Sequence, residues 1–132
     1  MKSTFKVLAI ISVALLLFTG CRTAAVYNVV EQPTRVKNDV TNDKIFKAIK
    51  TAGLSLGWQV RKVKDGLAEA QLNIRTHMAL VEIPYTHDSF SINYKNSANL
   101  NYDATKGTIH NNYNGWVQNL RNAITLQISA LE

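Results

Sequence analysis

Three histidines, His77, His87 and His110, are the first residues to weigh for chemistry, because imidazole serves both acid–base catalysis and metal ligation. They stand far apart in different local contexts, and no HExxH or paired Cys/His spacing surrounds them, so the sequence points to no metal centre. Glu82 lies close to Pro84 and Asp88 sits in a turn segment; neither is paired with a second carboxylate. There is no GxSxG elbow, no glycine-rich phosphate loop and no cysteine in a nucleophile setting. General acid–base catalysis needs positioned partners. With none visible, the expectation is a non-enzyme that uses no cofactor.

A recognition surface is the stronger candidate. Between Tyr94 and Trp116 the chain gathers Tyr94, Ser97, Asn99, Asn101, Tyr102, His110, Tyr113, Asn114 and Trp116, together with Asn96, Asn111 and Asn112. Aromatic rings give flat contact area and amides give adaptable hydrogen bonds, a combination suited to a glycan, a peptide or a protein loop. The same residues also have folding uses. Asn caps helices and accepts turn conformations, and Tyr and Trp close the margin of a core.

The N-terminal stretch carries a different kind of chemistry. Lys2 and Lys6 precede an almost wholly apolar run over residues 7–18, followed by Thr19 and Gly20. Basic, apolar and small-residue segments in that order form a secretory signal. The apolar run is too short for a spanning helix, which needs about 20 residues. Leu17-Phe18-Thr19-Gly20-Cys21 resembles the bacterial lipobox, with Phe18 where Leu is commoner. The resemblance implies that Cys21 becomes the first mature residue and carries acyl chains, typically three. Cys21 is also the only cysteine, so no internal disulfide can form, and lipidation accounts for an unpaired thiol in an exported chain. By the enterobacterial sorting pattern, Arg22 in place of Asp favours the outer membrane, with the domain facing the periplasm.

Charge agrees with an envelope setting. Without Lys2 and Lys6, the formal charge falls from +6 to +4, a balance suited to anionic head groups or acidic partners. An export signal argues against nucleic acid as a partner.

The elements that must position these residues follow from periodicity. With 132 residues and 46% hydrophobic content, the chain suits one domain. The expected division is a signal peptide over 1–20, a lipidated tether over 21–25 and one domain over 26–132. Val26 to Val30 reads as a strand that Pro33 ends. Ile45, Ala48, Ile49 and Ala52 mark one helical face, with Lys44, Lys47 and Lys50 opposite, caps available over 38–42 and Gly53 as the closing left-handed residue. Trp58 to Val63 reads as a strand, Asp65-Gly66 as a hairpin turn, and Ala68, Ala70, Leu72 and Ile74 as the core face of the next strand, with Glu69 on its wet face. Met78 to Tyr85 and Ser89 to Tyr94 continue the alternation; residues 95–108 read as a polar loop. A final helix carries Trp116, Val117, Leu120, Ile124, Ile128 and Leu131 in one stripe, capped by Asn111 or Asn112. Strand, helix, strands, helix gives an α+β fold, an antiparallel sheet of four to five strands packed in two layers against two helices.

Ala52-Gly53, Gly57-Trp58, Arg75-Thr76-His77, Tyr94, Ser97, Asn99-Leu100-Asn101-Tyr102, Ile109-His110, Tyr113-Asn114 and Trp116-Val117 together resemble a family of small, uncharacterised proteobacterial lipoproteins. The resemblance covers most of the mature chain. It implies an envelope location and a compact α+β domain, and no reaction. Three functions stay open at this point. One is a non-catalytic binding or accessory subunit of the envelope, tethered to the membrane through Cys21 and contacting an envelope protein. The others are a lipid or small-ligand carrier and an enzyme acting on envelope polymers.

Overall fold

The computed structural model describes residues 22–131. The signal segment and Cys21 lie outside the described residues. Among the described residues, seven strands and two helices follow in order: β1 (Thr23–Ala25), β2 (Val29–Pro33), α1 (Asn42–Ser55), β3 (Gln59–Lys64), β4 (Leu67–Ile74), β5 (His77–Pro84), β6 (Ser89–Ala98), β7 (Thr108–His110) and α2 (Asn111–Ser129). The fold is α+β. A five-stranded antiparallel sheet has the order β2-β6-β5-β4-β3, and β1 pairs with β7 in a separate two-stranded ribbon. One face of the large sheet packs on both helices. Ala68, Ala70, Ala79, Val81, Ile83 and Ile92 meet Ile45, Ile49, Leu120 and Ile124 there, all at 0% exposure. The apolar alternation of β4, β5 and β6 produces this layer, since every second residue of a strand points to the same side.

Helix α1 starts where its sequence can satisfy free amides. Thr41 is the N-cap, its hydroxyl accepting from the Lys44 amide at 3.3 Å, and Asp43 lies in the first turn. The end differs from the expectation. Gly53 is still helical and buried, and a Cβ there would come within 2.4 Å of a Val60 methyl. It serves the close approach of α1 to β3. The left-handed residue is Gly57, at φ +87°. The amide of Trp58 donates to the Gly53 carbonyl at 2.9 Å and that of Gly57 to Leu54 at 3.1 Å, the two bonds of a Schellman ending.

Four further boundaries depart from the sequence reading. Thr23–Ala25, expected as tether, is strand β1, because β7 offers it a partner. The strand expected over Val26–Val30 is interrupted instead. The Tyr27 amide donates to the Asn114 side chain at 2.9 Å, and Asn28 accepts from the Tyr94 amide at 3.0 Å, as the chain passes from β7 to the edge of β6. The polar loop expected from residue 95 begins only after Ala98, since Met78, Ala79 and Leu80 of β5 pair with Ala98, Ser97 and Asn96. Finally, α2 is capped by neither asparagine. His110 is the N-cap, its Nδ1 accepting from the Asn112 amide at 3.1 Å.

Among the described residues no helix covers the sheet's second face, which carries a charged row. Arg61 stands opposite Glu69, and Glu69 opposite Glu82, on neighbouring strands. Glu69, expected on a wet face, does point that way, yet it is only 5% exposed. The arms of Arg61 and Lys95 reach over it and both donate to its carboxylate, and Lys95 also meets Glu82 at 3.1 Å. The hydrogen bond from Lys95 is the leading cause that holds the Glu69 carboxyl below the usual range; the one from Arg61 adds to it against the cost of burial.

Candidate functional site

A bulge in β6 builds the site. Val81 pairs with Tyr94 and Leu80 with Asn96, which leaves Lys95 as the extra residue. In an unbroken strand, residues three apart point to opposite faces. The bulge brings Tyr94 and Ser97 to the same side, where the Tyr94 hydroxyl and Ser97 Oγ are 2.8 Å apart. Lys95 is turned toward Glu69 and Glu82. Beyond Ala98 the chain bends through Asn99 and Asn101, both left-handed at φ +58° and +52°. Asn tolerates that conformation better than other residues with a side chain. Leu100, between them, is 2% exposed and anchors the loop, its carbonyl accepting from the His110 amide at 2.7 Å.

The result is an open pocket of about 650 Å³ beside Tyr94, Ser97, Asn99, Asn101 and Tyr102, with Lys95, Asn96 and Leu100 completing the wall. Tyr102 is 42% exposed and stacks on Tyr94, with centroids 4.1 Å apart and planes at 26°. Burial pushes the Tyr94 phenol up from its ordinary value, partly offset by the bond to Ser97. The Lys95 ammonium, held charged chiefly by its bond to Glu69, is engaged with carboxylates on the open face of the sheet. The pocket therefore offers hydroxyls, amides and a phenol ring. Such a set suits a neutral polar ligand, recognised by stacking and hydrogen bonds.

Four other residues proposed from sequence do not join this pocket. Tyr113 is fully buried and meets Tyr94 edge-on at 5.7 Å, so it supports the pocket from beneath. Its hydroxyl has no hydrogen-bond partner among the described residues, and burial pushes its phenol far up. Asn114 clips the N-terminal segment in place, accepting from the Tyr27 amide and donating to the Ala25 carbonyl at 2.8 Å. His110 is occupied as the helix cap. Trp116 faces a separate shallow groove lined by Leu56, Trp58, Leu72 and Ile74. Asn99 itself is half structural: its amide donates to the Thr76 carbonyl and its own carbonyl meets His77 Nδ1, both at 2.7 Å. Asn96 belongs to the stretch singled out from sequence, whereas Lys95 and Leu100 were not expected as wall residues. The signal that marked the others, side-chain type, does not report a bulge.

Each histidine has its own polar partner, and none is hydrogen-bonded to another. His77 meets a backbone carbonyl and His110 a backbone amide. His87 is the one beside a carboxylate, with Nδ1 3.3 Å from Asp88 and Nε2 2.9 Å from the Lys37 carbonyl, an arrangement in an exposed turn that raises its pKa chiefly through the carbonyl bond. Among the described residues no cluster of three His, Cys, Asp or Glu side chains could hold a metal ion. No helix among them is long and apolar enough to cross a membrane. Compared with family models, curated proteins and solved structures, the chain matches none.

Proposed function

We propose that the protein is a membrane-anchored lipoprotein of the bacterial envelope, tethered through Cys21, whose Tyr94–Tyr102 pocket is a non-catalytic binding site for a neutral polar segment of an envelope partner. The observation that supports this reading is the convergence of five residues picked for recognition chemistry, Tyr94, Ser97, Asn99, Asn101 and Tyr102, on one open pocket with an exposed, pre-stacked ring. A ring already held by its neighbour loses little freedom on binding. The tether reading rests on the signal-like segment and the residues around Cys21. A carrier would need an apolar groove between helices and sheet, where Ile45, Ile49, Ile83 and Ile124 are instead packed at 0% exposure.

The test is in-cell photo-crosslinking from a photoreactive residue in place of Asn101. This position lines the pocket and is exposed. A discrete protein adduct, lost with Tyr102→Ala and with Cys21→Ser, is the expected result. An adduct pattern indistinguishable from that of the same probe at Lys50, on the exposed side of α1, would overturn the reading.

A further inference from the structure

The point at which the chain enters the fold defines one end of the molecule. The Arg22 carbonyl accepts from the Asn111 amide at 2.8 Å, and Thr23 is already paired with His110. Consecutive Cα atoms are about 3.8 Å apart, so a tether attached one residue ahead of Arg22 would start beside the first turn of α2. A lipid on Cys21 has no linker through which the domain could tumble away from the bilayer. Whatever surrounds this end must meet the head groups.

What surrounds it is suited to that contact. The Arg75-Thr76 turn between β4 and β5 lies here, bound through Thr76 to Asn99, and the Asn99–Asn101 loop is bound in turn to His110. The end of β4 and the start of α2 share a groove in which Ile74 and Trp116 approach Leu56, the C-cap of α1. Ile74 is 37% and Leu56 40% exposed, and Trp116 is half-buried at their side. Arg22 and Arg75 are both exposed, and Arg75 takes a left-handed conformation, φ +55°, at the tip of its turn. Asp103, on the loop beyond, turns its carboxylate inward to the Thr105 and Lys106 amides at 2.9 and 3.0 Å. Indole at the head-group level, short apolar side chains beneath it and guanidinium against anionic lipid are the elements of an interfacial contact.

We propose that this end, with Arg22 and Arg75 and the apolar rim of Leu56, Ile74 and Trp116, is a docking face for an anionic phospholipid surface, so that the domain stands on the membrane in one orientation. The inference rests on the tether at Cys21 and goes beyond it, since a tether alone sets distance and not orientation. One consequence is that the Tyr94–Tyr102 pocket, joined to this end through Asn99 and Thr76, opens beside the bilayer, with the Thr86–Asp88 turn at the far end of β5. The eight residues of β5 set the two ends roughly 25 Å apart.

The test uses the full lipidated chain in vesicles of phosphatidylethanolamine and phosphatidylglycerol. Spin labels are placed through Thr76→Cys at the proposed face and Asp88→Cys at the opposite end. Collision with lipid-soluble oxygen several-fold stronger at position 76 than at 88 is expected. Equal accessibility, the reverse order, or spin–spin broadening at 76 from a second copy would overturn the docking face. The unsubstituted chain provides a second readout: brominated lipid should quench Trp116 strongly, and unchanged tryptophan emission counts against the proposal. Flotation of the same samples, compared with Cys21→Ser, reports the tether separately. Protein that floats with position 76 in water overturns the docking face alone, and protein that does not float overturns both.

Discussion

Residues 94–102 and residues 110–116 have nearly the same composition of Tyr, Asn and His or Ser, and the fold puts them to opposite uses. The first segment leaves a strand through a bulge and two left-handed asparagines, so its side chains line an open pocket. The second begins a 19-residue helix whose one face is pressed on the sheet, so its side chains are cap, clip and core. The lesson is that recognition chemistry and folding chemistry share an alphabet. Backbone geometry decides between them.

Truncating one tyrosine in each segment should separate the two uses most clearly. Tyr113→Ala should cost about 3–5 kcal/mol in urea denaturation, the usual loss for a buried aromatic, whereas Tyr102→Ala should cost about 1 kcal/mol or less, for a lost stack at an exposed ring. Equal costs would mean that the two segments are not differently used. Tyr113→Phe sharpens the same point. Its hydroxyl lacks a partner in the core, so removing it should leave stability unchanged or raise it slightly.

A smaller effect is expected at Asn114. Asn114→Ala strands the Tyr27 amide and the Ala25 carbonyl and should lower stability by about 1–3 kcal/mol. Hydrogen exchange should speed up first at Thr23–Ala25 and Val29. Uniform acceleration across the sheet would argue against a local clip.

The smallest effect concerns acid, and it separates the pocket from the charged row behind it. Glu69 has a folded pKa below its unfolded value, so its contribution is present above the unfolded pKa and is lost as pH falls through the folded one. Stability should therefore drop on the acid side of the ordinary carboxylate range, and Glu69→Gln should flatten that limb. His87 has the opposite sign: its raised pKa favours the fold below the unfolded imidazole pKa, and that support is lost as pH rises through the folded value. An acid limb unchanged in Glu69→Gln would show that the row contributes nothing to folding. Lys95, released from Glu69 in that variant, should alter binding at the pocket more than it alters stability.

Much of the architecture was legible because it rests on local periodicity. The stripe of Val117, Leu120, Ile124 and Ile128, the alternation through Val81 and Ile83, and the Asp65-Gly66 turn each appear where their patterns place them. What was not legible depended on partners distant in sequence. Gly53 looked like a helix terminator because glycine favours that position, yet Val60 on the next strand needs the missing Cβ. Residues 95–98 looked like loop because they are polar, yet β5 holds them as strand. Of the nine surface candidates chosen by residue type, five line one pocket and four lie elsewhere as cap, clip, support and groove wall, because side-chain type does not carry backbone geometry.

From residue order alone came the class of fold, the two helical faces and the core face of each central strand. These are properties of spacing along the chain, set by 3.6 residues per helical turn and two per strand repeat. Long-range contacts set which asparagines and tyrosines face solvent, that the Lys95 ammonium is engaged by Glu69 and Glu82, and that Thr23–Ala25 is a strand. Each of those depends on a bulge, a clip or a strand pairing between residues far apart in the chain, and such a contact leaves no period in the sequence to read.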